Sequence, residues 1–144
     1  MKKIISLLMA VVFAFGVAQA RDKVCYDDSC LPQMARQTLK KNFKSAVNHI
    51  KVDKELFNGT EYDVVLRDGT EIEFDNDGNW TSVETIGGVP SSFLLPSIKQ
   101  FVKKNYKNQK VVKVSVDRKE YEVELQNGIE LKFDRAGNFL RVDD

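Results

Sequence analysis

The chain states one segment twice. Tyr62-Asp-Val-Val-Leu-Arg-Asp-Gly-Thr-Glu-Ile-Glu-Phe-Asp-Asn-Asp-Gly-Asn-Trp80 returns as Tyr121-Glu-Val-Glu-Leu-Gln-Asn-Gly-Ile-Glu-Leu-Lys-Phe-Asp-Arg-Ala-Gly-Asn-Phe139. Tyr, Val, Leu, Gly, Glu, Phe, Asp, Gly and Asn recur in step without a gap. Such a duplication limits the fold to arrangements in which one supersecondary unit stacks on its copy. A copy of roughly 50–60 residues buries too little apolar surface to stand alone, so the two are expected to share one core.

The first twenty residues have the pattern of a secretory leader. Lys2 and Lys3 precede an apolar run from Ile4 to Val17, then Ala18-Gln19-Ala20, and charge resumes at Arg21. The run is too short for a membrane span. Cleavage near Ala20 would leave a mature chain from Arg21 in the periplasm or outside the cell. The formal net charge of +1, with acids and bases interspersed, lacks the basic footprint of a nucleic-acid binder.

The rest divides into an arm over 21–30, a first repeat over 31–86, a linker over 87–94 and a second repeat over 95–144. Each repeat opens with Leu-Pro and a helical stretch. Met34, Ala35, Thr38, Leu39 and Phe43 form one apolar stripe; Ile98, Phe101, Val102 and Tyr106 form the other. Proline suits the first helical turn. Lys40-Lys41 and Lys103-Lys104 suit the negative end of the backbone dipole. Alternating strands follow through Ile50 and Val52, Tyr62 to Leu66, Ile72 and Phe74, and Trp80 and Val83, and again in the second copy. Asp68-Gly69 and Asn127-Gly128 are strong two-residue hairpin signals. Alternation puts Tyr, Val, Leu, Ile and Phe on one face. The other carries Asp63, Arg67, Glu71, Glu73, Glu122, Glu124, Gln126, Glu130 and Lys132. The expected fold is α+β: two tandem helix-plus-four-strand antiparallel repeats, about eight strands in one curved sheet, helices on one face.

The tandem pattern of Leu-Pro, Lys-Lys-Asn-Phe/Tyr, a Val-rich strand and Tyr-x-Val-x-Leu-x-x-Gly-x-Glu-x-x-Phe-Asp-x-x-Gly-Asn resembles the PepSY-like, β-lactamase-inhibitor-like family of secreted Bacteroidetes proteins. The resemblance runs from Leu31 to Val142. It implies the fold of β-lactamase inhibitor protein, in which an open sheet face and its loops grip a partner protein. No contact motif of that inhibitor is matched here. The resemblance therefore implies a periplasmic binding module and not inhibition of a β-lactamase.

Cys25 and Cys30 are the two cysteines. In an oxidising compartment they are expected to close a local disulfide. A redox pair and half of a metal site are the other readings. Redox motifs favour two intervening residues, whereas four stand here, and no second Cys/His pair completes a zinc site.

Glu73-Phe-Asp75-Asn-Asp77-Gly78, with Glu84 at the twelfth position, nearly matches a calcium loop. Strand-period flanks argue against an EF-hand. Glu84, four residues beyond Trp80, would lie about 13 Å from the tip at about 3.3 Å per residue. The second copy keeps Asp134, Gly137 and Asn138, the residues a tight turn wants, but has Lys132 and Ala136 for Glu73 and Asp77. The readings are a plain hairpin or an open calcium site of Asp75, Asp77 and Glu73.

No nucleophile-and-base pattern accompanies His49, the single histidine, so no enzyme is expected. Glu71 and Glu130 recur beyond each hairpin turn and are expected to pair across strands with Lys or Arg. The polar face, through Arg67, Glu71, Glu73, Glu122, Glu124, Glu130 and Lys132, is the candidate docking surface for an envelope or extracellular protein or peptide. Trp80 and Phe139 are expected in the core, and become anchors if exposed. Leu56-Phe57 tips a longer first hairpin.

Overall fold

The stripe of each helix finds a sheet to cover. The computed structural model describes residues 22–143 apart from Leu56 and Asn58. The expected leader, 1–20, lies outside the described residues. Helix α1 spans Gln33–Asn42 and α2 spans Pro96–Asn105. Ala35 and Leu39 are buried in α1, Ile98 and Val102 in α2. Met34, expected in the stripe, is half exposed on its flank. Both helices end in two lysines, and the next N–H reaches back four residues: Phe43 to the Leu39 carbonyl at 3.0 Å, Tyr106 to the Val102 carbonyl at 2.8 Å. Among the described residues, no helix is long and apolar enough to cross a membrane.

The strands are β1 Lys23–Cys25, β2 Val47–Glu55, β3 Gly59–Leu66, β4 Glu71–Phe74, β5 Trp80–Glu84, β6 Val111–Val116, β7 Glu120–Leu125, β8 Glu130–Asp134 and β9 Phe139–Asp143. They form one antiparallel sheet in chain order, nine strands where about eight were expected. The addition is β1, from the segment read as an arm. Three residues are too few to show alternation, but the edge of β2 offers unpaired backbone groups that this segment satisfies.

One apolar row crosses the whole sheet beneath the helices: Cys25, Ile50, Val64, Ile72, Val83, Val114, Val123, Leu131 and Val142. Its inner members from Ile50 to Leu131 are buried, and Val142 at the β9 edge is 43% exposed.

The hairpins depart from the two-residue expectation. Leu66 pairs with Thr70 and Leu125 with Ile129, so three residues make each loop. Among the described residues only glycines have positive φ, Gly69 and Gly128 at +90°. A two-residue type I′ turn needs positive φ at both central positions, whereas a three-residue loop needs it at the glycine alone. Gly78 (φ +87°) and Gly137 (φ +89°) close similar loops pressed against the helix starts. A Cβ on Gly78 would sit 2.9 Å from Pro32 Cβ, and one on Gly137 2.1 Å from Ser97 Oγ.

Candidate functional site

With both helices on one side, strand alternation turns the other side of the sheet outward. Two side-chain rows cross it from β2 to β9. The first is Lys51, Asp63, Glu73, Ser82, Ser115, Glu122, Lys132 and Arg141. The second is His49, Val65, Glu71, Glu84, Lys113, Glu124, Glu130 and Asp143. Arg67 lies just past β3, exposed at the turn.

The rows place like charges opposite one another. Asp63 faces Glu73, Glu71 faces Glu84, and Glu124 faces Glu130. Directly opposed like charges destabilise an antiparallel pair. The expected cross-strand bases of Glu71 and Glu130 are therefore absent: Glu71 has Val65 and Glu84 as neighbours, Glu130 has Glu124 and Asp143. The three-residue hairpin loops set Asp63 opposite Glu73 and Glu124 opposite Glu130, and bulges at Thr81 in β5 and Leu140 in β9 carry Glu84 into line with Glu71 and Asp143 into line with Glu130.

Electrostatics follow the geometry. The Asp63 carboxyl is pushed up to about 6, first by burial and then by Glu73. Burial also raises Glu124, against the pull of Lys113. Glu130 is raised by burial and by Glu122. The lysines and the arginine of the two rows are already engaged, Lys51 with Asp53 at 3.5 Å. Lys132, only 8% exposed, bonds Glu122 and lies 4.0 Å from Asp143. Arg141 holds Glu120 at 3.2 Å and Asp143 at 3.7 Å, and Lys113 is 3.9 Å from Glu84.

The calcium candidates separate. Asp75 Oδ1 accepts the N–H groups of Asp77 and Asn79, both at 2.9 Å. Asp134 does the same for Ala136 and Asn138 at 3.0 and 2.8 Å, which holds its carboxyl below the usual range. The shared aspartate builds the turn in both places. Glu73 belongs to the open face opposite Asp63, away from that turn. Among the described residues no three His, Cys, Asp or Glu side chains gather to hold a metal ion.

The other candidates fall as follows. Cys25 and Cys30 stand as thiols, so the expected cross-link is not formed in the structure. They are nonetheless neighbours: burial and a hydrogen bond with Cys25 push the Cys30 thiol up to about 12. His49 Nδ1 is 2.8 Å from its neighbour's Asn48 Oδ1. Trp80 is half-buried, edge-on to Phe93 at 5.2 Å. Phe139 is 39% exposed, stacked on Phe101 at 4.4 Å, and qualifies as an anchor beside exposed Leu140 and Val142. Phe57 is 94% exposed; Leu56 lies outside the described residues.

Glu84 and Asp143 were missed as members of the face. Their place depends on the bulges, for which the only sequence signal was two consecutive residues breaking alternation after Trp80 and Phe139.

A family model described as "Putative beta-lactamase-inhibitor-like, PepSY-like" matches residues 60–141. Among solved structures, a putative periplasmic protein of unknown function from Bacteroides vulgatus is 42% identical, with a TM-score of 0.82, covering 85% of this chain and 99% of that one. A putative calcium-regulated periplasmic protein from Bacteroides thetaiotaomicron is 35% identical, with a TM-score of 0.81, covering 85% and 97%. A second putative periplasmic protein from Bacteroides vulgatus is 35% identical, with a TM-score of 0.80, covering 87% and 98%. No curated protein matches the sequence.

Proposed function

From its membership of the PepSY-like, β-lactamase-inhibitor-like family, we propose that this chain is a non-enzymatic periplasmic binding module whose uncovered sheet face grips a cationic segment of an envelope or extracellular protein, inhibiting or regulating it. The observation that carries the reading is the set of opposed acid pairs, Asp63–Glu73, Glu71–Glu84 and Glu124–Glu130. They cost stability in the free protein. A lysine or arginine laid between the members of a pair removes that cost, so the face gains more from a basic partner than from water. Arg67, Glu122 and Lys132 flank the pairs and set register. Capture of a partner by the chain from Arg21, compared with Glu124→Lys/Glu130→Lys, tests this.

The same reading includes a leader cleaved near Ala20, a Cys25–Cys30 disulfide closed after export, and two tandem units, 31–86 and 95–144, forming one domain. The matching hydrogen bonds of Asp75 and Asp134 support the tandem reading.

A second reading is favoured by the relative described as calcium-regulated. Asp77 and Asp75 would give an open, weak calcium site at the β4–β5 turn, with Glu73 left on the open face outside it. A thermal melt with calcium and with chelator tests it: calcium raises the midpoint and Asp77→Ala abolishes the rise. A midpoint indifferent to calcium rules it out.

A further inference from the structure

A cavity of about 690 Å³ opens between the segment after β1, helix α1 and the start of β2. Its apolar floor is Leu39, Phe43, Val47 and Leu66, and Arg36 and Lys40 stand on its helix side. Its walls are strand, 3-10 turn (Asp28–Cys30), helix and strand. That series recurs later as β5, the 3-10 turn Ser91–Phe93, α2 and β6. The residues standing where the floor stands are then Val102, Tyr106, Val111 and Leu125.

The two places differ in what fills them. Six residues, Thr85 to Pro90, join β5 to its 3-10 turn. Thr85 N–H donates to the Val112 carbonyl at 2.9 Å and Val89 N–H to the Val111 carbonyl at 2.7 Å. The Val89 side chain packs against the core. Only Tyr26 and Asp27 join β1 to its own 3-10 turn. Among the described residues, this short segment makes no corresponding backbone bond to Asn48 or Val47. The edge of β2 lacks that cover because the arm is four residues shorter: Val47 stays partly exposed where its counterpart Val111 is buried, Phe43 is partly exposed beside it, and Leu39 and Leu66 lie buried beneath.

We propose that this groove binds an extended segment of another protein that carries a β-branched residue followed by proline. It docks as Val89-Pro90 docks at the counterpart place. Its N–H groups donate to the Asn48 and Val47 carbonyls, extending the sheet beyond β1. Its aliphatic side chain rests on partly exposed Phe43 and Val47, above buried Leu39 and Leu66. Edge addition supplies affinity through the main chain and the pocket supplies selectivity. The site lies away from the acidic face and stands or falls independently of it.

The probe is the peptide Thr-Ile-Gly-Gly-Val-Pro-Ser-Ser, copied from residues 85–92 and blocked at both ends, titrated into the chain from Arg21. Saturable binding with a dissociation constant on the order of 1 mM or tighter is expected. Amide shifts should centre on Val47 and Leu39, and a Val89→Asp peptide should bind at least about tenfold more weakly. A protein with Gly-Gly-Val-Pro inserted between Asp27 and Asp28 should fill its own groove, melt higher and lose the peptide. Absence of saturable binding to the unaltered chain overturns the proposal. So does equal binding by a folded insertion variant.

Discussion

Asp63 and Glu73 stand directly opposite each other on β3 and β4, two carboxylates sharing one cross-strand position on the uncovered face. Burial first, and that opposition second, lift the Asp63 carboxyl to about 6. The native state therefore holds a proton that the unfolded chain, with its ordinary value of 3.8, has released. Protons favour the folded form between those values. Stability is fully relieved of this cost below the unfolded value and declines as pH rises through about 6.

Asp63→Asn is expected to stabilise the protein at pH 7.5 by about 1 kcal/mol, after discounting the shift for screening by solvent. It should also flatten the stability profile between pH 4 and 6. Urea unfolding across that range measures both. An Asp63→Asn profile parallel to that of the wild type over this range contradicts the account.

Gly137 and Gly128 share a positive φ but differ in surroundings, with nothing within 4 Å of a Cβ on Gly128. Gly128→Ala should cost about 1 kcal/mol for the left-handed backbone alone. Gly137→Ala should cost at least about 1 kcal/mol more, since Ser97 must move and its hydroxyl loses the 2.9 Å bond it donates to the Gly137 carbonyl. Equal losses in denaturant midpoint would show that the β8–β9 turn does not seat α2.

Oxidation should close Cys25–Cys30 and stabilise the chain by about 2 kcal/mol in the chain-entropy model. Reductant is then expected to lower the melting temperature of the wild type and leave Cys25→Ser/Cys30→Ser unmoved. An intact mass that still counts two thiols after export to an oxidising compartment contradicts this.

Alternation was sufficient to read the core row, the helices over it and the polar face, because each apolar side chain must find the covered side. β1 escaped notice because three residues carry no period and its docking depends on an edge that exists only after β2 forms. The partners across the polar face were not legible either. Asn48, Thr81, Val112 and Leu140 each interrupt the register. One inserted residue changes which side chain stands opposite which. Glu71 and Glu130 were assigned to the correct face and the wrong neighbours: bulges bring Glu84 and Asp143 into line with them, and the three-residue hairpin loops set Val65 and Glu124 opposite. The turn aspartates read as calcium ligands because a tight turn and a cation both call for clustered oxygen acceptors, and only the duplicate, Asp134, separates the two demands.

The most direct test of the central claim is capture from a native envelope extract with the chain from Arg21, beside Glu124→Lys/Glu130→Lys. The variant sets two lysines opposite each other and beside Lys113, so it keeps a like-charge cost, and a thermal melt must show it folded before capture is compared. The account predicts a specific protein retained by the wild type, released by salt and lost with the variant. A protein held equally by both, or none held by the folded wild type, would contradict binding through this face.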